Sequence, residues 1–146
     1  MCEAGRKDHF LLSEAAFRMK SFGLWTALTS LTDYLLMVTD HIGVNKSASD
    51  LAAKLKVTPQ ANPTSQSLKA DGDKNLAHLK TLQGVAFDKA YIDHEVAYHQ
   101  QVIDALDKTL IPSAANAELK ALLVKVRPAF VAHLEHAKRL QASQKS

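Results

Sequence analysis

The sequence predicts an all-α fold, a bundle of four long helices in one domain. Two observations carry this expectation. Apolar residues recur at spacings of three and four over long stretches, and no run of apolar–polar alternation is long enough for a strand. The composition agrees: 47% hydrophobic and 23% charged residues, with only five Gly and four Pro, describe an ordinary globular chain. At 146 residues it is the size of a single domain, 1–146, with residues 1–8 expected as a loose tail. Such a chain buries about two-thirds of its unfolded surface, enough for one core.

Each element follows from the pattern. A first helix is expected over about His9 to Leu28, weakened by Gly23. The capping residues Thr29-Ser30-Leu31-Thr32-Asp33 predict a break. A second helix, about Leu31 to Lys56, carries a seam of Tyr34, Met37, His41, Val44, Ala48, Leu51 and Leu55. Pro59 and Pro63 interrupt it, and Asn62 with Pro63 reads as the cap and first position of a short helical piece. Another short piece, about Asp73 to Gln83, is expected to end at Gly84. The whole connection, Val57 to Gly84, is long for a bundle loop and suits a crossover.

A third helix is expected from about Val85 to Leu110. Its inward arc holds Tyr91, Glu95, Tyr98, His99, Val102, Leu106 and Leu110. Ile111-Pro112-Ser113 reads as a tight turn, with Ser113 capping a fourth helix that runs to about residue 143. That helix turns Leu119, Leu122, Leu123, Val126, Phe130, His133, Leu134, Ala137 and Leu140 inward, with Pro128 as a kink. Four long helices with one short turn and one long crossover, between the second and third, give ferritin-like connectivity.

The chemistry resides in polar residues at core positions. His41 sits in the seam of the second helix, Glu95 and His99 in the apolar arc of the third, and His133 on the inner face of the fourth. Buried groups of this kind need partners, because leaving one unsatisfied costs a few kcal/mol. Counted from the expected ends, His41 lies ten residues after Leu31, Glu95 ten after Val85 and His133 ten before Ser143, which puts all three at one height. Two readings follow. One is a metal site of His41, His99 and His133 with Glu95 as carboxylate, suited to Zn, Fe, Mn or Cu, with Tyr91 and Asp40 as supporting groups beside the ligands. The other is a buried polar network that fixes helix register. His9, His78, His94 and His136 fall at edges or outside and are expected to be solvated.

Several motifs are excluded. His94-Glu95-Val96-Ala97-Tyr98-His99 carries one residue too many for the His-Glu-x-x-His zinc pattern, so its two histidines lie about 140° apart. A di-iron carboxylate site needs Glu-x-x-His on two helices, whereas Glu95 is followed by Tyr98 and Glu135 by Lys138. His133-x-x-His136 reads as a rim pair that picks up metal adventitiously. The single cysteine, Cys2, allows no internal disulfide and no cysteine zinc site. A net charge of +3 spread along the chain argues against a nucleic-acid partner.

Gly5-Arg6-Lys7 before Phe10-Leu11-Leu12 resembles the start of a signal peptide, but Glu14, Arg18 and Lys20 interrupt the apolar region. The uncharged stretch from Ser21 to Leu31 is too short to span a membrane.

Three segments resemble those of a known family: Met37-Val38-Thr39-Asp40-His41, Phe87-Asp88-Lys89-Ala90-Tyr91 with His99, and Val131-Ala132-His133-Leu134. The family is a bacterial domain of unknown function, often described as "predicted outer membrane protein" and classed with ferritin-like bundles. The likeness covers about Val38 to Gln141 and does not reach residues before about Leu35. It implies a bundle in the periplasm or cell envelope, with no established activity; the absence of a convincing signal peptide leaves the cytoplasm as the other compartment. The chain is thus expected to be a non-enzymatic ferritin-like bundle whose polar layer takes a transition metal. The alternative is an interaction or stress-response scaffold that works through its surface, with Phe22, Leu24 and Trp25 of the first helix favouring a homo-oligomer. A metal oxidoreductase ranks last, because inward carboxylates are scarce.

Overall fold

A computed structural model describes residues 24–144, with the backbone alone described for 24–34 and for Thr64. Among these residues the chain is all-helical, without a strand, and has four helices, consistent with a helical bundle. They are α1 (Leu24–Lys54), α2 (Pro63–Lys80), α3 (Gly84–Ala105) and α4 (Ala117–Ser143). A π turn, Leu106–Leu110, and a helical turn, Ile111–Ser113, extend α3.

These four are not quite the four that the sequence predicts. The expected break at Thr29–Asp33 is absent, since α1 runs unbroken from Leu24 to Lys54. Ser, Thr and Asp disfavour helix interiors only weakly, and a hydroxyl there can bond back onto the preceding turn. Thr39 shows the device further along α1, its Oγ1 donating to the Leu35 carbonyl at 2.8 Å. The expected first helix over residues 9–23, the tail, Cys2, His9 and Phe22 lie outside the described residues.

The long connection also differs. It holds one 18-residue helix rather than two short pieces. Asn62 starts it as expected, within a full capping box: its Oδ1 accepts from the Ser65 amide and its own amide donates to Ser65 Oγ, both at 2.9 Å. Pro63 occupies the first turn, where its missing N–H has no role. Gly72 sits mid-helix and costs about 1 kcal/mol against Ala, too little to break a helix so well capped. Exposed Lys69–Asp73 and Asp71–Lys74 pairs flank it. Thr81, not Gly84, is the C-cap. Gly84 instead takes φ +55° in the turn into α3, a backbone region that glycine enters without strain.

The described residues belong to two compact units. The first comprises residues up to Lys46 together with Gln60–Asp88, and its buried apolar side chains are Met37, Leu79 and Phe87. The second comprises Ser47–Pro59 and Lys89–Ser146, and buries Ile92, Ile103, Leu106, Leu134 and Ala137 with His99 and His133. Polar ties brace this second unit: Lys54 pairs with Glu118, and Gln141 donates to Asp93 at 2.7 Å. Arg127 forks onto both oxygens of Asp107 at 2.6 and 2.7 Å, clamping the π turn to α4.

The inner face of α3 is turned from the expected arc. Ile92, His99, Ile103 and Leu106 are buried, whereas Tyr91, Glu95, Tyr98 and Val102 are half-buried and Leu110 is exposed. At 100° per residue the buried stripe lies about 50° from the predicted one. The start of α4 is also displaced. Asn116, not Ser113, is its N-cap, with Oδ1 accepting from the Leu119 amide at 2.9 Å. The Ser113 hydroxyl is engaged backward, donating to the Thr109 carbonyl at 2.6 Å, because the chain through Ile111–Ser113 is still helical. Pro128 lies inside α4 as expected, and both it and Val124, whose carbonyl loses its usual helical donor, are exposed to water.

Helix α1 closes in a Schellman motif: the Val57 amide bonds to the Ala52 carbonyl at 3.0 Å and the Lys56 amide to Ala53 at 3.1 Å. The motif forces Lys56 to φ +54°, a left-handed conformation that costs an L-residue about 1 kcal/mol or more. Lys56→Gly should therefore stabilise the protein by about 1 kcal/mol, raising the thermal midpoint by ~2–4 °C. Calorimetry checks this, and a lowered midpoint would contradict it.

Candidate metal centre

His99 is the most enclosed large side chain described, 1% exposed, and His133 follows at 6%. One stands on α3 and the other on α4 within the same compact unit. Their rings meet edge to face, centroids 5.4 Å apart and planes at 85°. Phe130, one turn before His133, lies 6.2 Å from the His99 ring, and Tyr98 sits edge-on to it at 6.0 Å. The histidines are thus held by apolar and aromatic packing.

The hydrogen bonding of His99 settles its protonation pattern. Nδ1 lies 2.9 Å from the backbone carbonyl oxygen of Glu95, one turn earlier on α3. A carbonyl can only accept, so Nδ1 carries the proton and Nε2 keeps its lone pair. That Nε2 is closed off from solvent. Burial pushes the His99 pKa down; the bond to the Glu95 carbonyl opposes the shift, and the neighbouring His133 and His94 reinforce it. The ring is therefore held neutral, the form in which imidazole binds a metal. Donation from the other nitrogen to a carbonyl is the usual way a ligating histidine is oriented.

His41, half-buried on α1, supplies the third imidazole. One ring nitrogen from each of His41, His99 and His133 lies within 4.8 Å of the other two. Three close histidines could hold a metal ion, and the donor set, three imidazoles with no thiolate, fits Zn, Cu or Fe.

The remaining predicted site residues fall around this group. Glu95 is not one of the three clustered donors; its Oε2 lies 3.4 Å from His99 Nδ1, on the side opposite the lone pair. Its side chain is 17% exposed, and burial raises its pKa to about 7. Asp40 and Tyr91 are half-buried. In the Phe87–Tyr91 segment, Phe87 is buried, and burial raises the Asp88 carboxyl above its ordinary range. Of the histidines read as solvated, His78 is exposed as expected. His94 is half-buried and stacks on Tyr98 at 5.9 Å, and burial lowers its pKa. His136 is half-buried with Nε2 shut from solvent, because α4 buries Ala137 beside it. A stripe drawn through Ile92, His99, Ile103 and Leu106, spaced seven, four and three, is the signal that would have centred α3 on His99 rather than on Glu95.

The described residues are therefore all-helical, and three of their histidines lie close enough that they could hold a metal ion. The family model of DUF4142, a domain of unknown function, matches residues 36–140, and the chain belongs to that family. The match coincides closely with the span over which the sequence resembles a bacterial domain of unknown function, and carries no activity with it. No curated protein and no solved structure matches the chain. No described helix is long and apolar enough to cross a membrane.

Glu95 gives the metal-free protein a distinctive pH dependence. Its carboxyl ionises near 4.5 in the unfolded chain and about 7 in the folded one. Between these values only the unfolded state releases the proton, so this contribution to stability falls as pH rises and levels off above 7. His99 acts in the opposite sense. Its lowered pKa makes stability fall as pH drops below the ordinary 6.5. Glu95→Gln removes the first slope alone. Relative to wild type, the metal-free variant should gain about 3 kcal/mol between pH 4.5 and 8, measured by urea unfolding. A difference independent of pH would contradict it.

Proposed function

We propose that this protein is a non-enzymatic metal-binding helical bundle of ferritin-like type, with His41, His99 and His133 as ligands and Glu95, Tyr91 and Asp40 as the groups around them. The observation that supports this most is the convergence of three imidazole nitrogens within 4.8 Å. Two of these imidazoles are almost wholly buried. A hydrophobic core gains nothing from gathering histidines, since each must be desolvated. Coordination by a cation would offset that penalty. Glu95 would then act through His99: the backbone bond fixes the ring tautomer, and the carboxylate, once ionised, balances part of the ion's charge.

The same residues would contribute binding and orientation rather than turnover. A donor set of three imidazoles supports storage, buffering or delivery of the ion. The resemblance of the three sequence segments to a family described as outer-membrane favours the periplasm or envelope as the place of work.

Untagged protein should bind close to one equivalent of Zn(II) or copper and gain thermal stability in proportion to the logarithm of free metal. His41→Ala, which removes the most accessible ligand, and His133→Ala should each weaken binding by at least about a hundredfold. Titration calorimetry with elemental analysis measures both. Wild type and variants that carry equally negligible metal would refute the proposal.

A further inference from the structure

Helix α1 has two apolar sides, and only one of them is used by the unit it belongs to. Met37, 8% exposed, turns into the first compact unit, and His41 on the same side is half-buried. The opposite side is in water. Leu35, Leu36 and Ile42 are 55%, 56% and 52% exposed, and Thr39 and Gly43 beside them are exposed too. At 100° per residue Met37 and His41 each stand about 160° from Thr39, so this second side faces away from the core. Three half-exposed aliphatic side chains within two turns make a patch of about 300 Å², a size that on a soluble chain is often an interaction site.

The spacing of the patch decides what fits it. Leu35 and Leu36 lie four and three residues before Thr39, and Ile42 and Gly43 three and four after it. A two-fold axis through Thr39 therefore maps the stripe onto itself, the condition for an isologous interface between identical chains. We propose that this side of α1 pairs with α1 of a second copy, antiparallel and crossing at Thr39. Leu36 of each copy then meets Ile42 of the other. Leu35 lies over Gly43, where a β-carbon would meet nothing within 4 Å and the space for an incoming side chain is open. Thr39 is small, and its hydroxyl already donates to the Leu35 carbonyl at 2.8 Å, so it enters the contact with its donor satisfied. Thr39 is also the middle residue of α1 (Leu24–Lys54), and the exposed side continues through Lys46, Ser49, Asp50 and Ala53. The pair thus overlaps over about 46 Å, a length on which two helices approach the roughly 800 Å² per partner of a stable dimer. The three-histidine reading plays no part in this inference.

Sedimentation equilibrium tests the pairing, with circular dichroism to check that each variant stays folded. Wild type should rise from one chain of 16.0 kDa towards two as concentration passes from about 1 to 100 µM, a Kd of micromolar order. Leu36→Lys/Ile42→Lys sets like charges across the two-fold axis and should remain one chain throughout. Leu36→Glu/Ile42→Lys sets opposite charges there and should recover the dimer, because the antiparallel pair places Leu36 against Ile42 and a parallel pair does not. In a Cys2→Ser background, Thr39→Cys should form an intermolecular disulfide under mild oxidation. Lys46→Cys should not, since the axis sets Lys46 opposite Thr32. A wild type of one chain at every concentration overturns the proposal and leaves the face to another occupant. A dimer that survives Leu36→Lys/Ile42→Lys, that the opposite-charge variant fails to recover, or that cross-links through Lys46→Cys overturns it equally.

Discussion

One hydrogen bond organises the centre: the bond from His99 Nδ1 to the carbonyl of Glu95, 2.9 Å long and set within a single turn of α3. Because donor and acceptor belong to the same helix, its geometry is local and survives small movements of the neighbouring helices. It assigns the proton to Nδ1, leaves the lone pair on Nε2, and fixes the ring's direction. Burial then keeps the ring neutral. The chemistry proposed for the other two histidines requires this one to be oriented and uncharged.

Packing makes that orientation durable. His99 is flanked by Tyr98 and Phe130 and meets His133 edge to face. Ile92, Ile103 and Leu106 extend the same buried stripe of α3, and Leu134 and Ala137 that of α4. Apolar burial of this kind contributes about 25 cal/mol per Å², a driving force against which two desolvated imidazoles can be carried. The Arg127–Asp107 fork acts at the far end of α3, where the π turn would otherwise interrupt the helical bonding. Half-exposed, it contributes alignment more than energy.

Much of this was legible in the sequence, and the parts that were not share physical causes. The all-helical class followed from spacing alone. Asn62-Pro63 marked the start of α2 because a cap followed by proline has few other uses. His41, His99 and His133 stood out because a histidine at an apolar position demands a partner. The break expected at Thr29–Asp33 failed because helix propensities of a few tenths of a kcal/mol yield to context. Ser113 and Asn116 are both good caps, and only the continuation of helix through Ile111–Ser113 decides between them. Counting Tyr91 and Tyr98 as core residues centres the arc of α3 near Glu95. Tyrosine is amphipathic and sits well half-buried, as Tyr91 and Tyr98 do, whereas Ile92 and Ile103 do not tolerate water as readily.

The protonation state of His99 is the claim on which the centre stands most directly. Long-range proton–nitrogen NMR of the histidine rings in metal-free protein reports which nitrogen carries hydrogen and whether the ring is charged. The account predicts a neutral His99 with hydrogen on Nδ1, persisting to pH values below the ordinary histidine range. A ring protonated on Nε2, or an imidazolium at neutral pH, would contradict it.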